Sequence, residues 1–117
     1  MFNVLIVEDE SIIALDLAQR LKLMGYNVNI AQSGKVALEI IEINKFDLIL
    51  MDVYLNDGLN GVDIAMQIRN RFNTPIIFIT GSFNPNKHEN IKQTEPYSFI
   101  KKPLDEFELQ KTIKKYI

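Results

Sequence analysis

Five short apolar runs, separated by stretches with helical spacing, leave this chain few folds to choose from. Phe2 to Val7 ends in Glu8-Asp9, and the run around Val28-Asn29-Ile30 ends in small polar residues. Phe46 to Met51 ends in Asp52, Pro75 to Ile79 ends in Thr80-Gly81, and Tyr97 to Ile100 leads into Lys101-Lys102-Pro103. Strand-like runs alternating with helical ones predict repeated βαβ units and a parallel sheet. An open sheet of this kind, doubly wound in the order 2-1-3-4-5, binds ligands beyond the carboxyl ends of its strands. Three carboxylates, a hydroxyl and an ammonium are therefore expected to point at one place.

The intervening stretches read as helices. Ser11 to Met24 places Ile12, Leu15, Ala18 and Leu21 at helical spacing, and Gly25 stops it. Ser33 caps a second helix carrying Val36, Ala37, Ile40 and Ile41. Val62 to Phe72 makes a third, and Pro75 opens the fourth strand. Asp105, with Glu108 three residues on, starts the last helix, which buries Leu109, Ile113 and Ile117. Asn84 to Thr94 is the weak element. Between Pro85 and Thr94 its one apolar residue is Ile91, so a helix there is thinly anchored and belongs to the low-stability end of the fold.

Bulk properties exclude several classes. The 117 residues suit one domain, spanning 1–117, with a real core. A net charge of −2 argues against nucleic acid as a direct ligand, because phosphate binding needs a clustered positive field. With no cysteine there is neither a disulfide nor a thiolate metal site. No apolar stretch approaches the roughly twenty residues that span a bilayer, and Met1-Phe2-Asn3 enters a strand at once, leaving no room for a signal peptide. A cytoplasmic domain without membrane contact is expected.

In the doubly wound order the first and third strands are neighbours, so Glu8, Asp9 and Asp52 converge. Three like charges this close raise a pKa or require a cation, and Mg²⁺ suits an all-oxygen site. Lys102 adds a positive charge and Thr80 a hydroxyl able to bond a phosphoryl oxygen. Any one of these acids alone reads as a solvated loop residue or cap. The full set, each at its own strand end, reads as a phosphoryl-transfer site.

Four motifs in order, Leu5-Ile6-Val7-Glu8-Asp9-Glu10, Leu50-Met51-Asp52, Ile79-Thr80-Gly81 and Lys102-Pro103, make the chain resemble a response-regulator receiver domain of two-component signalling. The resemblance implies a flavodoxin-like (βα)5 fold and a phosphorylation-dependent switch with limited self-catalysis rather than an enzyme. Asp52 would accept the phosphoryl group from the phosphohistidine of a sensor histidine kinase or phosphotransfer protein. Asp9 would ligate Mg²⁺ (or Mn²⁺) directly, Glu8 largely through a coordinated water, and the backbone carbonyl of Tyr54 would add a ligand. Thr80 would be the switch hydroxyl and Lys102 the phosphoryl partner, with Lys101 turned away by strand alternation. Phe99 matches the aromatic switch position, and equally reads as a core residue. The face formed by the fourth helix, fifth strand and fifth helix would then change shape and control a partner or attached output. Homodimerisation on phosphorylation stays open.

The loop after Asp52 departs from the family's pattern, with an extra residue around Asp57-Gly58 before Gly61. Tyr54 and Ser82, each two residues past a site residue, border the approach of water and are expected to set the phosphoryl lifetime. His88 reads as a surface residue. Two other readings compete. An aspartyl-phosphate phosphohydrolase of haloacid-dehalogenase type would normally carry a second Asp at the position of Tyr54. A phosphorylation-independent pseudo-receiver would not need every site residue. A flavin-binding protein fits worse, because Glu8-Asp9-Glu10 stands where its phosphate loop would lie.

Overall fold

In a computed structural model of the protein, residues 1–55, 60–81 and 89–117 are described. The Asp57-Gly58 turn, Ser82, His88 and the first part of the Asn84 to Thr94 stretch lie outside them. Five parallel strands, β1 (Asn3–Val7), β2 (Asn27–Ala31), β3 (Leu48–Asp52), β4 (Ile76–Thr80) and β5 (Tyr97–Lys101), form one sheet in the order β2-β1-β3-β4-β5. This is the expected flavodoxin-like arrangement. The described α-helices are α1 (Ser11–Leu23), α2 (Gly34–Ile43), α3 (Gly61–Arg69) and α4 (Glu106–Ile113).

Side-chain alternation along the strands divides the core in two. Leu5, Val7, Ile49, Met51, Ile76 and Phe78 face α2 and α3, together with Ile91. Val4, Ile6, Leu48, Leu50, Ile77 and Ile79 face α1 and α4, where Leu17, Leu21, Leu109 and Ile113 meet them. The central strand β3 and its neighbour β4 are buried at every position, as expected for a parallel sheet covered on both faces.

The caps fall where the sequence places them. The Ser33 side chain accepts from the Val36 N–H, and that of Asp105 from the Glu108 N–H. Gly25 ends the first helical segment at a φ of 96°, which favours glycine. Several boundaries move by one to three residues; α3 ends at Arg69 with Phe72 half-buried beyond it, β3 begins at Leu48 rather than Phe46, and β4 begins at Ile76 rather than Pro75.

Two expectations need correction. In the first helix Ile12 and Leu15 are 85% and 63% exposed, and the buried stripe is Ala14, Leu17, Ala18 and Leu21. Strict three-residue spacing lags the helical repeat by about 60° per step, so Ile12 ends on the side opposite Leu21. The true stripe steps by three, one and three, which holds one face. Where a fourth helix was expected, the described part is a 3₁₀ segment, Glu89–Thr94. Ile91 anchors it in the core beside α3, and Thr94 is fully buried. Among the described residues the five strands are thus joined by α1, α2, α3 and one 3₁₀ segment, and α4 follows β5.

Candidate functional site

The carboxyl ends of β1, β3 and β4 meet because the parallel register is nearly flush. Val7 pairs with Met51, Asp52 with Ile79, and Thr80 with Lys101. Each chain therefore leaves the sheet at about the same height, and the next residue reaches the same cleft.

Glu8, Asp9 and Asp52 each present a carboxylate oxygen, and these atoms lie within 4.8 Å of one another. Glu8 and Asp52 are buried, Asp9 half-buried. The Glu8 backbone N–H donates to the Ala31 carbonyl, which fixes the turn out of β1. Lys102 reaches in from the end of β5, with Nζ 3.6 Å from Asp52 Oδ2 and 3.9 Å from Glu8 Oε2. Its own N–H donates to the Thr80 carbonyl at 2.8 Å, tying β5 to the end of β4. Lys101, by contrast, is exposed. Alternation separates the two lysines as the sequence suggested.

The charges do not balance locally. Glu8 Oε1 is buried and finds no hydrogen-bond partner among the described residues. Burial first, and then the adjoining Asp52 carboxylate, push the Glu8 pKa from 4.5 up to about 8; Asp9 adds to this and Lys102 opposes it. A neutral Glu8 relieves the repulsion, and so does a cation. An orphaned buried oxygen within an all-carboxylate donor set fits a hard divalent ion such as Mg²⁺, which Glu8, Asp9 and Asp52 would hold.

The remaining candidates surround this group. The Tyr54 N–H donates to Asp52 Oδ1 at 3.2 Å, while the Tyr54 side chain stands 49% exposed at the rim. Thr80 is buried at the end of β4. Phe99 is half-buried one strand over, its ring 5.5 Å from that of Phe78 and 5.6 Å, edge-on, from that of Tyr97. Two structural residues escaped the sequence reading: Gly61 beside the site, and Arg69, whose contacts are the carbonyls of Thr94, Phe72 and Pro96. Gly61 backs directly on the Asp52 main chain, and the glycine that opens a helix after an acidic strand end was the signal for it. Arg69 offered no signal, since an arginine on a helix normally reads as solvated.

Among the described residues no helix is long and apolar enough to cross a membrane. The profile of the response regulator receiver domain matches residues 4–114. The transcriptional regulatory protein PdtaR of Mycobacterium tuberculosis is 34% identical over 103 residues, 87% of this chain and 50% of that protein. CrdR of Helicobacter pylori is 30% identical over 116 residues, 97% of this chain and 54% of that protein. The chain thus spans about half the length of these curated relatives. In three dimensions it matches the chemotaxis protein CheY4 of Vibrio cholerae with a TM-score of 0.90 and 28% identity, covering 100% of this chain and 99% of that one. The receiver domain of a Pseudomonas aeruginosa sensor histidine kinase, with a magnesium ion coordinated in its active-site cleft, matches with a TM-score of 0.86 and 28% identity over 98% of this chain and 96% of that one. With its sheet order, its acidic cleft and a profile match over nearly its whole length, the chain belongs to the response regulator receiver domain family of two-component signalling.

Proposed function

We propose that residues 1–117 act as a phosphorylation-dependent switch whose acceptor is Asp52. The observation that carries this reading is the Lys102 ammonium, 3.6 Å from Asp52 Oδ2 beside a carboxylate cluster that holds an unpartnered buried oxygen. In the transfer, an Asp52 oxygen forms a bond to phosphorus as the bond from phosphorus to a kinase phosphohistidine breaks, and the imidazole leaves and takes up a proton. Lys102 offsets the charge on the moving group. A Mg²⁺ or Mn²⁺ ion, when bound, supplies further neutralisation of the phosphoryl oxygens. Glu8, Asp9, Asp52 and the Tyr54 carbonyl are the proposed ligands.

The aspartyl phosphate carries nearly two negative charges where the Asp52 carboxylate carried one, a net gain of about one at the sheet edge. Thr80 moves toward it, Phe99 turns inward, and the face made by the 3₁₀ segment, β5 and α4 changes shape to control a partner or attached output in the cytoplasm. Phosphorylation shifts the populations of two states already sampled. The half-exposed Tyr54, standing where a phosphohydrolase of the dehalogenase type would carry its acid, favours the switch over that enzyme.

The test is incubation with Mg²⁺ and a small-molecule phosphodonor. One acid-stable, base-labile phosphate, abolished by Asp52→Asn, is expected. Steady turnover of general phosphomonoesters would support the hydrolase instead, and no label at all would support a phosphorylation-independent module.

A further inference from the structure

Gly61 opens α3, is buried, and has a φ outside the left-handed region, so backbone freedom does not explain a glycine there. Space does. A Cβ at this position would stand 2.2 Å from the Asp52 carbonyl oxygen, 3.0 Å from the Asp52 carbonyl carbon and 2.9 Å from Met51 Cγ. The Met51 side chain can yield. The Asp52 peptide cannot do so freely, because the Val53 N–H donates to the Ile79 carbonyl at 3.2 Å on the β4 side. The acceptor's own main chain is held between its neighbouring strand and the first residue of α3.

The same residue closes the loop that follows Asp52. The Gly61 N–H donates to the Val53 carbonyl at 2.6 Å, and Tyr54 and Asn60 form an antiparallel bridge just outside it. Asn60 turns the chain into the helix, its side chain accepting from the Asp63 N–H at 2.9 Å. These contacts bring the two ends of the loop together. Because Tyr54 and Asn60 are themselves bridged, an additional residue between them in the sequence need not move Asp52 or Tyr54.

We propose that Gly61 is a positioning residue for phosphoryl transfer: its lack of a side chain lets α3 seat against the Asp52 peptide, fixing the acceptor carboxylate and the Tyr54 main chain relative to Glu8, Asp9 and Lys102. This rests on Asp52 being the acceptor. The Tyr54 N–H already bonds Asp52 Oδ1, so displacing the Asp52 peptide shifts the carboxylate and the Tyr54 carbonyl together. A site that must hold several oxygens around one small ion tolerates such a shift poorly, because Mg²⁺ demands near-octahedral geometry.

The experiment compares wild type, Gly61→Ala and Asn60→Ala. Each is titrated with Mg²⁺ by calorimetry, labelled with a small-molecule phosphodonor at saturating Mg²⁺, and unfolded in urea without metal. Gly61→Ala is expected to weaken Mg²⁺ binding about 10- to 100-fold, the range found when supporting contacts around a metal site are lost, and to slow labelling even at saturation. Asn60→Ala removes the cap but leaves the glycine, so it should lose stability while keeping Mg²⁺ affinity and labelling rate near wild type. A folded Gly61→Ala protein with wild-type affinity and labelling rate overturns the proposal, and so does equal loss of both functions in Asn60→Ala. Should Gly61→Ala not fold, the wild-type Gly61 amide resonance decides. It must move on Mg²⁺ addition with the midpoint of the Asp52 and Tyr54 amides; an unmoved resonance overturns the proposal. A wild type that neither binds Mg²⁺ nor takes label would instead sink the acceptor reading itself.

Discussion

Arg69 donates from Nε and Nη2 to the carbonyl oxygen of Thr94, at 3.1 and 2.9 Å, so one guanidinium on α3 holds the end of the 3₁₀ segment. Nη1 reaches the Phe72 carbonyl at 2.8 Å, and Nη2 also meets that of Pro96 at 3.3 Å. Thr94 is fully buried, and its hydroxyl donates to the Ile91 carbonyl. Arg69→Ala takes this donor from the Thr94 and Phe72 carbonyls, while that of Pro96 keeps the Ile76 N–H, at a cost of about 1–3 kcal/mol for a buried unsatisfied group. The expected reading is a lower urea midpoint with an unchanged slope. Arg69→Lys should recover only part of it, because a single ammonium lacks the planar fork that reaches several carbonyls. An unaltered midpoint in the alanine variant would show that water replaces the guanidinium.

Glu8 makes metal-free stability depend on pH in an unusual direction. Its pKa is raised from 4.5 to about 8 in the fold, so the native state holds a proton that the unfolded chain releases. The stability from a neutral Glu8 is complete below pH 4.5, declines as pH rises toward 8, and is gone above that. Mg²⁺ binding competes with the same proton, so affinity should climb by up to about tenfold per pH unit across this window and then level off. Denaturation curves at several pH values, with and without Mg²⁺, measure both slopes. Glu8→Gln should flatten them.

Lys102→Ala should separate metal binding from transfer. Removing an ammonium 3.6 Å from Asp52 and 3.9 Å from Glu8 takes away a positive charge that repels a cation, so Mg²⁺ affinity should hold or rise. Labelling by a phosphodonor should fall about 10²-fold or more, the usual loss when one charge-stabilising donor is deleted. The adjacent Lys101 is exposed and cannot substitute. A labelling rate within a factor of about two of wild type would exclude Lys102 from the transfer.

Tyr54 stands half-exposed at the rim of the cleft. As a shield against water it should slow loss of the phosphoryl group, and Tyr54→Ala should speed that loss about tenfold, equivalent to about 1.4 kcal/mol of barrier. Decay of radiolabelled protein after removal of the donor gives the rate directly. A rate unaltered by the substitution would remove Tyr54 from this role.

What could be read from the chain was set by the range of the interaction responsible. Ser33 and Asp105 act on N–H groups three residues away, so their caps were legible, as were β3 and β4 from continuous apolar runs. The convergence of Glu8, Asp9 and Asp52 was legible because strand order and a flush register leave the strand ends nowhere else to go. The first helix misled because large side chains drew attention to Ile12 and Leu15, whereas small Ala14 and Ala18 let the helix approach the sheet. Asn84 to Thr94 offered only Ile91 as an anchor. Its hold on Arg69 runs through main-chain carbonyls, which every residue carries and no sequence pattern announces.

The cleft draws its charges from Glu8 and Asp9, Asp52, and Lys102, delivered by three different strands, and Lys102 follows an edge strand that among the described residues pairs with β4 alone. No local stretch of chain contains a working fraction of the site. The contacts of Lys102 with Asp52 and Glu8, and the meeting of Asp52 with Glu8 and Asp9, must wait for loop closures that rank among the slow steps of assembly. A chain still emerging during synthesis, or one with β5 undocked, therefore lacks the ammonium while already exposing the acids. If Asp52 is the acceptor, as proposed above, competence to take a phosphoryl group reports completed folding, and the fraction of molecules that can be labelled counts the natively assembled ones.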